Sequence, residues 1–226
     1  MGERTKRYYP AFLDLTGRTV VVIGSGPSAE RKARQLVRYG ADVTVVGPDP
    51  SDALVEAESD GHVIVEDRAY VRGDLDGAAL VVCTETDPET QAAVFAEAHS
   101  VGALVTNADN PSQSSFVVPS VLHREPLQIA ISTGGVAPQL AKRLRRRLSA
   151  QFGPVWAVYA GLVAQVRALG MERLDTPEAL DALLEAVLDS DALERLEAGE
   201  ELTALSLFEA YAPAPAPVEE DVSDGE

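Results

Sequence analysis

The stretch that decides the fold is VVVIGSGPSAERKA, residues 20–33. Four β-branched residues run directly into the turn Gly24-Ser25-Gly26, and a helix-like segment follows. This order of strand, glycine turn and helix N-terminus is typical of the corner of a dinucleotide-binding fold that holds the pyrophosphate. Gly24 permits the tight turn, Gly26 lets a pyrophosphate approach the backbone, and Ala29 lets the helix pack closely on the strand. An ordinary glycine turn is the alternative, but the flanking strand and helix patterns favour the nucleotide site.

The helix after this turn is well suited to hold an anion at its N-terminus. Pro27 stands at the first helical position, where its missing N–H costs nothing. The unpaired N–H groups of the first turn, which includes Ser28, carry a partial positive charge that attracts phosphate. We therefore predict that this corner of the chain binds the cofactor.

The net charge of −17 is distributed unevenly along the 226 residues. Residues 171–226 hold 17 Asp and Glu and only two Arg, so the remainder of the chain is close to neutral. Lysine is scarce among the 19 basic residues. This composition suggests adaptation to high salt, where charge repulsion is screened. An acidic exterior also argues against a nucleic-acid partner.

Cysteine usage and hydropathy favour a cytoplasmic protein with no membrane partner. The single Cys83 lies in an apolar run and has no second cysteine with which to form an internal disulfide. No apolar run approaches the ~18 residues that a membrane-spanning helix needs, and MGERTKRYYP at the N-terminus is not followed by the apolar core of a signal peptide.

Alternating patterns after the glycine turn predict an α/β fold, a Rossmann-like parallel sheet covered by helices on both faces. The predicted strands are Thr19–Ile23, Asp42–Val46, Val63–Val65, Ala78–Cys83 and Leu104–Thr106. The predicted helices cover residues 27–39, 51–60 and 88–101, with Ser51 and Asp87 as N-caps of the second and third. We assign residues 1–113 to this nucleotide-binding domain.

Ligands of such a sheet bind beyond the carboxyl ends of its strands. The loops that lie there are residues 24–29, 47–50, 84–87 and 107–111. The second strand is followed by Gly47, where an acid that binds ribose usually stands, and Asp49 comes two residues later. Asp49 is a candidate for the ribose hydroxyls or a plain turn residue, and the sequence leaves NAD and NADP open. Asp109 is a candidate general base at the same edge, although Asp-Asn-Pro is also ordinary turn chemistry.

The pattern changes after Pro111. Residues 115–121 and 127–132 predict two strands joined through His123–Pro126, either a hairpin or an exchanged pair, and hence a dimerisation element over 114–150. A helical domain over 151–210 follows, in which residues 177–197 predict one helix with Thr176 as N-cap. Residues 211–226 are rich in Pro, Ala and acids and predict a disordered acidic tail.

A basic helix is predicted from Pro138 to Gln151, directly after Thr133-Gly134-Gly135. Leucines at spacings of four give it an apolar stripe, and it carries no acid. Two interpretations stand: a site for a multiply charged anion, or a solvated face paired with acids elsewhere. The leucines and the cations are Leu140, Leu144 and Leu148, and Lys142, Arg143, Arg145, Arg146 and Arg147.

Other chemistries lack their motifs. The chain has no CxxC, HxxxH or GxSxG, and its isolated histidines favour structural roles. We therefore predict no built-in metal site. The chemistry that remains is that of a nucleotide cofactor acting together with carboxylate side chains.

Three stretches in order resemble the precorrin-2 dehydrogenase family, the N-terminal module of siroheme synthases. They are FLDLTGRTVVVIGSGPSAERKARQL (12–36), VVCTETDPETQ (81–91) and NADNPSQSSFVVPSVLHREPLQIAISTGGVAPQLAKRLRRRL (107–148). The resemblance covers about residues 8–167. It departs at Ser25, where the family has glycine, and at Thr106, where the family has Asn.

This resemblance implies NAD-dependent oxidation of precorrin-2 to sirohydrochlorin by a homodimer with exchanged central strands. Asp109 takes the position of the family's essential aspartate, and Thr133 that of a phosphorylation site in a bifunctional relative. The implied cofactor contacts are Pro27, Ser28, Pro48 and Asp49, and we add Gly24, Gly26 and Ala29 of the glycine turn and Thr84 of the loop after the fourth strand. The implied substrate contacts are Lys142 and Arg145, since the tetrapyrrole carries eight carboxylates, and we add Thr133 and Gly134 of the loop before this helix as candidates.

Whether the protein also inserts iron into sirohydrochlorin is left open by the sequence. Two other functions are compatible with parts of the chain. One is a nucleotide-sensing regulatory module, which explains the glycine turn but not Asp109 or the basic helix. The other is a dehydrogenase of a different polycarboxylate.

Overall fold

Five short, valine-rich strands form one parallel sheet. The computed structural model describes residues 6–107 and 110–213. Its sheet has the order β3-β2-β1-β4-β5. The strands are β1 (Thr19–Ile23), β2 (Asp42–Val46), β3 (Val63–Glu66), β4 (Leu80–Cys83) and β5 (Leu104–Asn107). Because β1 pairs in parallel with both β2 and β4, the strand order reverses there, as in Rossmann folds. The predicted fold class is confirmed in this sheet and in the helical C-terminal region.

Alternate residues of β1 lie in two different buried clusters, one on each face of the sheet. Val20 and Val22 pack with Ala29 of α1 (Pro27–Arg38), in a cluster that also includes Leu54 of α2 (Asp52–Ser59). Val21 and Ile23 belong to the other cluster, with residues of α3 (Pro88–Val101). Of the two N-caps predicted for α2 and α3, one is confirmed and one is wrong. Asp87 caps α3 as predicted, by accepting the N–H of Thr90 at 2.8 Å, whereas Ser51 makes no side-chain cap and its hydroxyl instead lies 3.3 Å from Glu30.

The predicted strand pair is a hairpin within one chain, shifted along the sequence. The antiparallel strands are β6 (Ser120–Arg124) and β7 (Leu127–Ile131), and the turn is only Glu125-Pro126. The prediction of a strand from residue 115 is wrong, because Ser115 bonds to Val105 of β5 through its own N–H and hydroxyl. His123 and Arg124, predicted in the turn, are strand residues.

Five helices complete the described chain: α4 (Pro138–Gln151), α5 (Val155–Arg173), α6 (Pro177–Leu188), α7 (Ala192–Glu197) and α8 (Ala204–Tyr211). The single helix predicted over 177–197 is wrong: it ends at Leu188, and the Ser190 hydroxyl then bonds to the Val187 carbonyl and accepts the N–H of Ala192. Tyr211, predicted in the tail, ends α8 and packs against the apolar core of these helices. The rest of the predicted tail, from residue 214, lies outside the described residues.

The described chain divides into two compact units. The first contains the residues up to Pro119 together with Ser132–Pro138, and the second contains Ser120–Ile131 and the residues from Gln139 onward. Arg124 joins the hairpin to the helices within the second unit, since it donates to the Phe152 carbonyl at 2.9 Å and to the Ser149 hydroxyl at 3.1 Å. Within the described ranges no single helix is long and apolar enough to cross a membrane, although α4 and α5, bent by 71°, pass that test as a pair.

A buried carboxylate organises the long connection between β3 and β4. Glu97 of α3 is only 5% exposed, and one of its oxygens accepts the N–H groups of Gly73 and Leu75 at 2.9 and 3.1 Å. Its other oxygen accepts the hydroxyl of Tyr70, whose pKa is raised by burial and by this carboxylate. The connection is therefore fixed to α3 by three hydrogen bonds to one side chain.

We expect Glu97→Ala to lower the free energy of unfolding by about 3 kcal/mol, because the buried N–H of Leu75, the half-buried N–H of Gly73 and the Tyr70 hydroxyl lose their acceptor. Glu97→Gln keeps an acceptor and offers a donor to Tyr70, so its loss is expected to be about 1 kcal/mol. Urea unfolding measures both, with Glu89→Ala on the exposed side of the same helix as the control. Equal losses for the Ala and Gln variants would contradict this assignment.

Candidate functional site

The ends of β1, β2 and β4 are tied together at one edge of the sheet. Gly24, with φ of 114°, donates its N–H to the Val46 carbonyl at 2.8 Å. Thr84 donates both its N–H and its hydroxyl to the Ile23 carbonyl, at 2.8 and 2.9 Å. A Cβ on Gly24 would lie 2.3 Å from the Thr84 hydroxyl oxygen. The glycine turn and the loop after β4, both predicted to bind the cofactor, are therefore in direct contact.

Gly47 replaces the usual acid because the chain leaves no room for a side chain there. A Cβ at this position would lie 2.6 Å from the carbonyl carbon of Gly24 and 2.7 Å from the nitrogen of Ser25. The Ser25 hydroxyl also donates to the Pro48 carbonyl, across the same contact. In the sequence Ser25 is only a departure from the family pattern. In the structure it joins the glycine turn to the loop that carries Asp49.

The N-terminus of α1 is open towards a ligand. Gly26 is the N-cap and has no side chain to accept the first N–H groups, and a Cβ placed on it would meet nothing within 4 Å. Gly26 and Pro27 are exposed, and the Ser28 hydroxyl accepts from Arg31 at 3.1 Å. Ala29 is fully buried, so it supports the turn from behind. Backbone N–H groups at a helix N-terminus that no side chain caps are what a pyrophosphate requires.

Asp49 adopts a left-handed conformation, with φ of 54°. Among the described residues other than glycine, it is the one with positive φ. Its N–H donates to the carboxylate of Asp67, which follows β3, at 2.9 Å. Sequence reasoning missed Asp67, although the parallel pairing of β2 and β3 places residues after both strands at the same edge.

Asp109, the predicted base, lies outside the described residues, but the segments on both sides of it are described. The N–H of Asn110 donates to the Asn107 side chain at 3.2 Å, and the buried Ser114 hydroxyl accepts the N–H of Asn107 at 2.8 Å. The Lys6 ammonium group binds the carbonyls of Pro111, Ser112 and Ser114 at 2.8–3.0 Å. Neither Lys6 nor Ser114 stands out in the sequence.

The predicted substrate residues belong to both compact units. Thr133 and Gly134 lie in the first unit, where the Thr133 hydroxyl accepts the N–H of Ala137 at 3.1 Å and Gly134 has φ of 64°. Lys142 and Arg145 lie on α4, in the second unit. Each pair is thus held by the local structure of its own unit.

The cations of α4 form no ion pair with any described residue. Lys142 is exposed and Arg145 is half-buried. The predicted apolar stripe is partly open, with Leu140 49% and Leu144 37% exposed. Pairing of these cations with acids elsewhere, one of the two interpretations, is not seen within 6–107 and 110–213. In the same ranges, no three His, Cys, Asp or Glu side chains are placed to share a metal ion.

Two family models match the chain. One, described as NAD(P)-binding, matches residues 11–120, and the other, described as sirohaem biosynthesis protein central, matches residues 124–151. A solved structure titled "SirC, precorrin-2 dehydrogenase" matches with a TM-score of 0.76 at 28% identity, over 90% of this chain and 100% of that chain.

Siroheme synthases of two bacteria are also similar in sequence. That of Azotobacter vinelandii is 36% identical over 210 residues, which are 93% of this chain and 45% of that protein. That of Stutzerimonas stutzeri is 35% identical over 192 residues, which are 85% of this chain and 41% of that protein. The chain thus spans less than half of the length of these two relatives.

The contact between Gly47 and the glycine turn predicts a contrast between two alanine variants. Gly47→Ala should lower the free energy of unfolding by about 1–3 kcal/mol, because the new methyl group meets backbone atoms. Gly26→Ala should change it by less than about 0.5 kcal/mol, because its methyl group meets open space. Thermal unfolding of both variants without ligand measures the difference, and a Gly47→Ala variant as stable as Gly26→Ala would contradict the close approach of the two loops.

Proposed function

The chain belongs to the siroheme biosynthesis family that these matches define, and we propose that it oxidises precorrin-2 to sirohydrochlorin with NAD+. One hydride passes from the tetrapyrrole to NAD+ and one proton to a base, which gives NADH and sirohydrochlorin. The observation that carries this proposal is the match to a precorrin-2 dehydrogenase structure over the whole of that chain.

The residues at the sheet edge fit a dinucleotide. NAD+, when bound, supplies the hydride acceptor. The open N-terminus of α1, with Gly26, Pro27 and Ser28, would hold the pyrophosphate. Pro48 and Asp49 would contact the adenosine ribose, and Thr84 fixes the turn beside them. Gly24 and Ala29 make this arrangement possible by packing rather than by contact with the ligand.

A substrate with eight carboxylates gives the basic helix a purpose. Lys142 and Arg145 lie on a helix whose cations have no described acid as partner, in a chain with a net charge of −17. Guanidinium and ammonium groups bind carboxylates through charge-assisted hydrogen bonds. Thr133 and Gly134 precede this helix in the chain and are proposed as further substrate contacts, Thr133 through its hydroxyl.

Asp109 would accept the proton that the tetrapyrrole loses. Its neighbours Asn107 and Asn110 are held by hydrogen bonds, and Lys6 fixes the three carbonyls that follow.

Four finer statements belong to the same proposal. The enzyme acts as a homodimer in which the hairpin region exchanges between subunits. It works in the cytoplasm, where its single, buried Cys83 stays reduced. Its acidic, lysine-poor composition is adapted to high salt. Nucleic acids and membranes are not among its partners.

An anaerobic assay tests the function directly. Precorrin-2 is generated in situ with the purified protein in high salt, and NAD+ is added last. We expect the sirohydrochlorin spectrum to grow in step with NADH, and Fe²⁺ added to the same cuvette then tests for ferrochelatase activity. If NAD+ binds and precorrin-2 is not oxidised, the nucleotide-sensing alternative replaces this proposal. Oxidation of another polycarboxylate instead would support the second alternative.

Replacement of the proposed base should separate chemistry from cofactor binding. We expect Asp109→Ala to abolish turnover and to leave the Kd for NAD+ unchanged, because the carboxylate acts only on the tetrapyrrole. Asp109→Asn should behave in the same way, and Asp76→Ala, in a turn of the β3–β4 connection, is the control. Turnover close to the wild-type rate in Asp109→Ala would remove this residue from the mechanism.

Charge reversal on α4 tests the substrate site. We expect the double variant Lys142→Glu, Arg145→Glu to raise KM for the tetrapyrrole at least ten-fold, since each charged hydrogen bond contributes about 1.5–3 kcal/mol. KM for NAD+ should not change. Arg38→Glu, which reverses an exposed cation at the C-terminal end of α1, is the matched control. An unaltered KM for the tetrapyrrole would assign the α4 cations to a solvated surface.

A further inference from the structure

We propose that Asp67 is a positioning residue that makes the cofactor site select NAD+ over NADP+. It would do so by fixing Asp49 beside the adenosine ribose and by adding a second negative charge there. The inference rests on the proposed function, because it concerns the same dinucleotide site.

The sheet brings Asp67 to the loop after β2. Val46, the last residue of β2, is paired with Glu66, the last residue of β3, and the N–H of Gly47 donates to the Glu66 carbonyl at 3.1 Å. The segments that follow β2 and β3 therefore leave the sheet side by side. Asp67 directly follows Glu66, and one of its carboxylate oxygens accepts the N–H of Asp49 at 2.9 Å.

This hydrogen bond holds an unusual backbone conformation. Asp49 has φ of 54°, a region that residues other than glycine seldom occupy without local support. The neighbouring Pro48 carbonyl accepts the Ser25 hydroxyl, so the loop is fixed from the glycine turn on one side and from Asp67 on the other. Without the Asp67 acceptor, the support for the Asp49 conformation from the β3 side is lost.

The two carboxylates form an acidic edge where this fold binds the adenosine ribose. Asp49 and Asp67 are both exposed, and the second Asp67 oxygen makes no hydrogen bond with any residue of the described ranges. A carboxylate at this place accepts the ribose 2′-hydroxyl of NAD+. The 2′-phosphate of NADP+ would bring about two further negative charges against the same pair.

Arg68, the cation next to Asp67 in the sequence, forms an ion pair with Asp74. Sites that accept NADP commonly use an arginine near this loop for the 2′-phosphate. Arg68 instead binds both oxygens of Asp74, each at 2.9 Å, and its Nε lies 3.4 Å from Glu66. The Asp74 carboxylate also accepts the N–H of Val71 at 2.8 Å, and the Arg68 guanidinium holds the pKa of Asp74 below its ordinary value. A bidentate pair of this kind keeps the guanidinium turned to Asp74.

Two substitutions at position 67 separate the two parts of the proposal. Asp67→Asn keeps an oxygen that can accept the N–H of Asp49 but removes the charge, whereas Asp67→Ala removes both. Titration calorimetry of the full chain, at the lowest salt in which it remains folded, gives Kd for NAD+ and for NADP+. Asp42→Asn, an exposed substitution at the opposite end of β2, is the control.

For Asp67→Asn we expect Kd for NADP+ to fall about ten-fold while Kd for NAD+ changes less than about two-fold, because one charge beside the phosphate is lost. For Asp67→Ala we expect Kd for NAD+ to rise about ten-fold, because Asp49 is no longer held. A lower Kd for NAD+ in Asp67→Asn than in Asp67→Ala would show that residue 67 acts by positioning Asp49.

Three outcomes would overturn the inference in distinguishable ways. If both variants keep the wild-type ratio of the two Kd values, Asp67 does not set selectivity, and the proposed function is untouched. If Asp67→Asn loses as much NAD+ affinity as Asp67→Ala, the positioning role is excluded. If the wild-type protein binds no NAD+, the proposed function fails and this inference fails with it. Because Asn has the shape of Asp, the Asn variant decides the question even if the Ala variant does not fold.

Discussion

The close approach of Gly47 to the turn at Gly24 and Ser25 is the contact on which the candidate site depends. It brings the ends of β1 and β2 so near each other that a single Cβ would overlap the backbone. The Gly24–Val46 hydrogen bond and the Ser25 hydroxyl on the Pro48 carbonyl reinforce the same junction. Because no side chain fits at position 47, the ribose contact that we propose falls to Asp49, whose N–H donates to Asp67.

The charges at the two proposed binding sites have opposite signs: cations on α4 and carboxylates beside the loop after β2. The chain as a whole carries −17, yet the cations of α4 have no described acid within ion-pair distance. In an acidic protein, unpaired cations on one helix form a local site that attracts a polycarboxylate. At the sheet edge the reverse holds, since Arg68 is bound by Asp74 and does not pair with Asp49 or Asp67 beside the loop. The same composition would thus admit an anionic substrate at α4 and resist an extra phosphate at the cofactor.

Local geometry and family membership support different parts of the proposed function. The glycine turn, the open N-terminus of α1 and the Asp49–Asp67 bond are geometric features that require no relative to be recognised. Precorrin-2 as substrate comes from similarity, since the basic helix by itself indicates only an anion with several charges. The siroheme synthases of Azotobacter vinelandii and Stutzerimonas stutzeri are more than twice as long as the segments that match, so an assay of this chain decides what it does alone.

From the sequence alone follow the parallel sheet, the glycine turn, the bounds of β1 and β2 and the start of α1 at Pro27, because each depends on side-chain periodicity or backbone freedom within a few neighbouring residues. Tertiary structure decided the rest. The strand after Pro111 begins later than predicted because Ser115 bonds to β5. Gly47 is explained only by its close approach to Gly24 and Ser25, which lie 23 and 22 residues earlier in the chain. The role of Asp67 could not be predicted from the sequence for the same reason. Parallel strand pairing brings together residues that are distant in sequence, and hydrophobic periodicity does not indicate which strands pair.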